Sequence, residues 1–324
     1  MKDELKDANF PTTADKRVYH LGLKKGEVAN RMLVVGDSGR ARMLAENFDS
    51  QPFHLRSDRG FECYTGTYNK TPISVLAIGM GFSAMDFLVR EARACVDGDM
   101  VVIRMGSCGS LNPDVGVGST VTPVAACAVT SDYDYFTQED YAGEPYRISK
   151  PVAADPDLHQ ALFSTVKEAH EFNNADAGTD APSPCLGDIV NASADSFYSS
   201  QGRIDPSFAD TNTTLLQNII DRVPNVTTLE METHQLFFLA HLANKRQEGT
   251  GTDQPTMQNA PKPPTHGKIR AAAVQMVFAA RASRAFISPA QVKQLQTWVG
   301  RACLDTLAAF HIPVEATQTD GIWN

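Results

Sequence analysis

Two stretches of this chain combine side chains able to grip a small polar molecule from several sides: Phe197 to Arg203, reading FYSSQGR, and Glu230-Met231-Glu232. The Gln201 amide offers a donor and an acceptor side by side, complementing the N3–H and carbonyl edge of uracil. Arg203, two residues on, can steady a second carbonyl, and Phe197 supplies a flat apolar face. Glu230 and Glu232, with an adaptable methionine between them, suit the polar and apolar faces of a ribose. Each reading has a plain alternative. Loop glutamines and arginines are ordinarily solvated, and acids in the first turn of the helix expected over TTLEMETHQLFFLAHLA would serve its dipole. His234 and His241 share a face of that helix but form no HExxH pattern, and read as packed or capped histidines.

A second chemistry is written in glycines and arginines. Gly36-Asp37-Ser38-Gly39-Arg40 is a sharp turn after an apolar run, where glycine lets backbone N–H groups approach an anion and Arg40 can reach back to it. Arg104 is embedded in the apolar strand VVIRMGSCGSL, which ends in Gly106-Ser107-Cys108-Gly109. A cation, a hydroxyl and free amides thus gather at a strand's carboxyl end, where open α/β sheets bind ligands. Burying that guanidinium requires a partner, either a phosphate or a structural acid. Arg59, in SDRGF, reads on its own as a solvated loop residue. No GxxxxGK[ST] occurs and Gly79-Met80-Gly81 lacks a third glycine, which disfavours ATP and NAD and leaves a small anion.

The elements that must position these residues alternate in type. Met32 to Val35, Ile73 to Ile78, Met100 to Ile103 and Ala271 to Phe278 are β-rich apolar runs bounded by turn residues. Between them, Ser83 to Val96 carries apolar residues at helical spacing, so a layered sheet with helices on both faces is expected. Ser288-Pro289 opens a C-terminal helix with an N-cap and a proline at its first position, and Val292, Leu295, Val299, Ala302 and Cys303 form its apolar stripe. Residues 172–184 and 245–268 are poor in large apolar side chains and read as surface insertions within a single domain spanning 1–324.

Composition narrows the function classes. A net charge of −9, from 29 basic and 38 acidic residues without a Lys/Arg run, argues against nucleic acid as a partner. Six cysteines without CxxC spacing read as reduced, buried thiols. MKDELKDANFPTT has no apolar core of a secretory signal, and no apolar stretch would span a bilayer, so a cytoplasmic protein without membrane association is expected.

In order and approximate spacing, VYHLGL, GDSGR, SDRGF, AIGMG, RMGSCGSL, FYSSQGR and LEMET resemble the nucleoside phosphorylase family, which includes uridine phosphorylases and hexameric-type purine nucleoside phosphorylases. The resemblance covers nearly the whole chain outside the two insertions, and FYxxQxR is its most specific part, marking the uridine-specific branch. It implies a three-layer αβα sandwich around a central mixed β-sheet, and reversible phosphorolysis of uridine to uracil and ribose 1-phosphate. It implies that Gly36, Arg40, Arg104 and Ser107 hold phosphate together with Arg59 from a neighbouring subunit, and that His20 reaches across to the ribose 5′-hydroxyl. Glu230, Met231 and Glu232 would bind ribose, and Phe197, Gln201 and Arg203 the base, with Arg281 adding to its cationic edge. Arg104, Glu232, Gln201 and Arg203 would carry the catalysis by orientation and charge stabilisation, with inorganic phosphate as co-substrate and no cofactor required.

Sharing of sites implies a homo-oligomer, a dimer at minimum. Purine-specific relatives protonate the leaving base with an aspartate on the late strand, where this chain carries Ala279. Gly60 replaces a glutamate that helps bind an interface cation in bacterial relatives, so no residue is assigned to a metal. A purine nucleoside phosphorylase and a non-catalytic nucleoside sensor are the alternative readings.

Overall fold

The structure, a computed structural model, describes residues 5–174, 183–247 and 266–324. The first half runs β1 (Arg31–Val35), α1 (Ser38–Ala45), β2 (Phe53–Arg56), β3 (Glu62–Tyr68), β4 (Thr71–Ala77), α2 (Phe82–Cys95) and β5 (Gly98–Ser110). Then come β6 (Thr120–Ser131), α3 (Tyr133–Thr137), β7 (Tyr146–Ile148), β8 (Val152–Ala153), α4 (Pro156–Asn173) and β9 (Cys185–Ala194). The chain closes with α5 (Leu215–Arg222), β10 (Val226–Glu230), α6 (Thr233–Gln247), β11 (His266–Ala280) and α7 (Pro289–Ala309).

The strands form one mixed sheet in the order β10-β9-β6-β11-β5-β1-β4-β3-β2. An extra antiparallel pairing of β10 with β5 closes β5, β10, β9, β6 and β11 into a ring. Two apolar layers lie on the sheet's faces. One gathers Leu44 of α1, Leu162 of α4 and Leu295, Val299 and Leu307 of α7, and the other Met85 and Leu88 of α2 with Leu236 and Phe237 of α6. This is the αβα sandwich with a mixed sheet that the sequence implied. The capping box at Ser288 and Gln291, with Pro289 at the first position, starts α7 where its sequence signal stands. Among the described residues, no helix is long and apolar enough to cross a membrane.

The expected boundaries need correction in three places. β5 and β11 extend well beyond their apolar cores, because parallel pairing continues from His266 opposite Gly98 to Ala280 opposite Ser110. The segment expected as one helix from Thr227 onward is divided. Val226–Glu230 is a strand paired with β9, and α6 begins only at Thr233, so Glu230 ends a strand and Glu232 precedes the helix. The margins of the expected insertions belong to α4, α6 and β11, and the rest of both lies outside the described residues.

Candidate active site

One rim of the strand ring opens into a cavity of about 340 Å³, walled by Gly36 and Arg40, Arg104 and Gly106 to Gly109, the loop residues Phe197, Gln201 and Arg203, Glu230 to Glu232, and Phe278 and Ala279. Sheet register explains the convergence: Gly109 of β5 lies between Leu229 of β10 and Ala279 of β11. Residues distant in sequence therefore meet because three strands end side by side.

At the anion end, the Asp37 carboxylate caps α1 by accepting from Arg40 N–H at 2.8 Å, which fixes the Gly36–Arg40 turn. The Arg40 side chain is buried, donates to the Met105 carbonyl at 3.4 Å and stands 3.5 Å from Asp37. Burial draws its basicity down, against the opposing pull of Asp37, and the nearby Arg104 charge lowers it further. Arg104 is buried too. Its Nη2 hydrogen-bonds to Glu232 and lies 3.0 Å from Glu230, whereas its Nη1 is buried and has no hydrogen-bond partner among the described residues. Burial opposes the guanidinium charge, but the two carboxylates outweigh it and raise its pKa. The guanidinium folds over Gly106, where an added Cβ would lie 1.8 Å from Nη1, so only glycine fits beneath it.

The two acids are held differently. Burial pushes the Glu230 pKa up, yet Arg104 and hydrogen bonds from Ser193, the Glu232 amide and Asn191 overcome that and leave it below the ordinary value. Glu232 is raised, chiefly by burial, with Arg104 opposing and the Glu230 charge adding to it. One Glu232 oxygen accepts from the Gly81 amide at 2.6 Å. The two acids beside Arg104 are thus pushed in opposite directions, Glu230 toward the charged form and Glu232 away from it.

At the opposite wall, Ser199–Gln201 forms one 3₁₀ turn and Gly202 takes the left-handed conformation with φ 61°. Arg203 Nη1 donates to Gln201 Oε1 and to the Phe197 carbonyl, both at 2.6 Å, and its guanidinium lies 3.7 Å from the Phe197 ring centre. Burial and then the nearby Arg281 charge bring the Arg203 pKa down to about 10. The loop is tied from behind. Asn212 Nδ2 donates to the carbonyls of Ser199 and Arg203 at 3.0 and 2.8 Å, and Ser200 Oγ donates to Asp195 at 2.5 Å.

Ten of the residues singled out from sequence line this cavity: Gly36, Arg40, Arg104, Ser107, Phe197, Gln201, Arg203, Glu230, Met231 and Glu232. Three do not. Arg281, expected at the base edge, instead donates to the carbonyls of Gln201 and Gly202 at 2.7 and 3.1 Å, which makes it part of the loop's anchorage. His20 and Arg59 sit together elsewhere. His20 stacks on Phe87 and holds Glu91 at 2.6 Å, its ring contacts Tyr19, and Arg59 both hydrogen-bonds to Tyr19 and covers that ring. Asn191, Ser193, Asn212 and Gln275, all buried behind the walls, were not singled out from sequence. The polar Asn191 within the apolar run Ile189–Ala194 is the same kind of signal that marked Arg104, whereas Asn212 has no sequence signal.

Comparison with known proteins gives this geometry a family. A model described as the Phosphorylase superfamily matches residues 30–246. The chain is similar to a uridine phosphorylase from Thermococcus kodakarensis, with 28% identity over 253 residues that cover 76% of this chain and 80% of that one. It is also similar to a DeoD-type purine nucleoside phosphorylase from Streptococcus gordonii, with 31% identity over 163 residues, 47% of this chain and 68% of the other. A solved structure from work on two uridine phosphorylases of the oomycete Phytophthora capsici has a TM-score of 0.85 and 33% identity, covering 95% of this chain and all of its own.

Proposed function

Because the chain belongs to the phosphorylase superfamily and is a nucleoside phosphorylase, a pentosyltransferase, we propose that its substrate is uridine, cleaved reversibly by phosphate to uracil and ribose 1-phosphate. The observation that carries this reading is the pair Gln201–Arg203 on the wall of a cavity that also holds Arg104, whose buried Nη1 has no hydrogen-bond partner among the described residues. An oxygen anion at that end would accept from Nη1, with Arg40 and Ser107 beside it. Glu232 and Met231, lying between the two ends, would take the ribose.

The chemistry then needs no covalent intermediate. Phosphate adds at C1′ as the C1′–N1 bond breaks, the bonding electrons pass to the base, and Gln201 and Arg203 stabilise the developing uracil anion. Arg104 and Arg40 hold phosphate in line, and the acids favour the cationic ribosyl centre. Ala279 in the wall offers no proton to a purine N7, which favours a pyrimidine leaving group. The similarity to a DeoD-type enzyme favours the purine reading.

We further propose that the site is shared between subunits. His20 and Arg59 cluster on Tyr19 away from their own cavity, and Met80, Phe197 and Phe286 expose apolar surface at its mouth, an arrangement suited to a second copy presenting the cluster. Uracil release from uridine, followed by ultraviolet absorbance with and without phosphate and with inosine in parallel, tests the reading of reaction and substrate. Phosphate-dependent release from uridine alone is expected. Release without phosphate, or cleavage of inosine in preference, would overturn it.

A further inference from the structure

Glu230 stands in the cavity wall, yet its carboxylate is fully engaged with protein and the residue is only 4% exposed. Oε1 accepts from Asn191 Nδ2 at 2.6 Å, Ser193 Oγ at 2.5 Å and the Thr233 amide at 3.2 Å. Oε2 accepts from the amides of Glu232 and Thr233 at 2.9 and 3.1 Å, and lies 3.0 Å from Arg104 Nη2. A carboxylate presents about four lone-pair sites, so none remains for a sugar hydroxyl. We propose that Glu230 does not bind ribose but is a positioning residue, the buried counterion that sets Arg104 for phosphate and the α6 amino end for Glu232.

Three features support this role. The Glu232 and Thr233 amides are donors at the start of α6 that the helix cannot satisfy internally, and Glu230 satisfies both, fixing the backbone that carries Glu232. Arg104 is pinned through Nη2 by Glu230 and Glu232 and lies over Gly106, and its Nη1 is left without a hydrogen-bond partner among the described residues. Glu230 is itself immobilised from the neighbouring strands. Ser193 accepts from the His234 amide at 2.8 Å, Thr228 Oγ1 lies 3.0 Å from Asn191 Oδ1 and 2.9 Å from Gln275 Oε1, and Gln275 donates to Thr233 Oγ1 at 3.0 Å. The anchor therefore draws on β9, β10 and β11 together.

The proposal rests on the phosphorolytic reading and predicts a sign that bare electrostatics does not. Removing a negative charge near a phosphate site should tighten phosphate binding if charge alone mattered. If Glu230 positions Arg104, Glu230→Gln should weaken it, because an amide NH₂ then faces a donor on one side or the other and the guanidinium loses a fixed partner. The test is calorimetric binding of inorganic phosphate to full-length wild type, Glu230→Gln and Ser193→Ala, paired with steady-state kinetics on the nucleoside that wild type uses.

A phosphate Kd and KM raised roughly tenfold in Glu230→Gln is expected, with a smaller rise of about threefold in the nucleoside KM through the loosened backbone of Glu232. Ser193→Ala should move the same way by about threefold, and it carries the test if the first variant does not fold. Tighter phosphate binding, a change confined to the nucleoside KM, or lowered thermal stability with an unchanged phosphate Kd would overturn the proposal. Phosphate binding is read without nucleoside, so a wild type that prefers another base refutes the uridine reading and not this one. A wild type that binds no phosphate would sink both.

Discussion

The two ends of the cavity are built on opposite plans. The anion end is made of side chains on strand termini and a capped helix start, with Arg40, Arg104 and Glu230 all buried and held by charge-assisted contacts. The base end is a short loop tied by Asn212, Asp195 and Arg281, in which Gln201 is buried while Phe197 stays 46% exposed. One end owes its geometry to the sheet. The other owes it to a few hydrogen bonds made from behind.

The largest expected effect lies at the anion end. Arg104→Ala should lower phosphorolysis by roughly a thousandfold or more by removing the anion's main partner. It should also cost about 3–5 kcal/mol of stability, since Glu230 and Glu232 would be left buried without their cation. Steady-state kinetics and denaturant unfolding check the two parts, and near-normal activity would refute the anion site. Gly106→Ala comes next. Its Cβ would displace the Arg104 guanidinium, so a loss of about a hundredfold in kcat/KM for phosphate is expected, with a loss of stability smaller than that of Arg104→Ala because the displaced cation stays beside the two acids.

At the base end, Gln201→Ala should lower kcat/KM for uridine by tens of fold to about a hundredfold while leaving phosphate binding unchanged. An unaltered ratio of uridine to inosine turnover would end its role as base reader. Asn212→Ala, which frees the carbonyls of Ser199 and Arg203, should raise the uridine KM by about threefold to tenfold through loosened loop geometry. Comparable damage to phosphate binding by either variant would break the contrast between the two ends.

A final effect, smaller at neutral pH, sharpens the contrast from beneath the anion turn. Burial would raise the pKa of Glu62, but hydrogen bonds from Ser38, which opens α1, and from Tyr64 and His54 bring it down to about 2 from an ordinary 4.5. A depressed folded-state pKa means that this stabilisation is complete above about pH 4.5 and is lost as pH falls toward 2. Urea midpoints measured between pH 7 and pH 3 should show a shallower acid decline for Glu62→Gln than for wild type.

The sequence made the local chemistry of this site more legible than its long-range support. Arg104 stood out because a cation in an apolar strand needs a partner, and α7 because Ser288-Pro289 states a helix start directly. The strand at Val226–Glu230 was hidden, since its acids and the following apolar run have the pattern of a helix, and pairing with β9 and β5 overrides that pattern. The anchoring contacts of Arg281 were hidden for a related reason. Its partners are backbone carbonyls of a loop nearly eighty residues earlier, and carbonyls have no sequence signature. Asn191, Ser193 and Gln275 become a network only once three strands lie side by side.

The ladder between β5 and β11 makes part of the pocket rigid. Arg104 and Ser107 ride on one strand, Ala279 on the other, and the two are hydrogen-bonded along almost their full length. The spacing between these walls is therefore fixed at that of paired strands, roughly 4.8 Å, and cannot breathe by a hinge without unzipping the sheet. Any change in the pocket's shape therefore falls to the outer pieces, the 197–203 loop and Phe286, which lies opposite Ala279 between the backbone hydrogen bonds Ala280 N–H to Ala285 O and Ile287 N–H to Phe278 O. In such a molecule any adjustment of shape is confined to the door, while the room behind it keeps its dimensions.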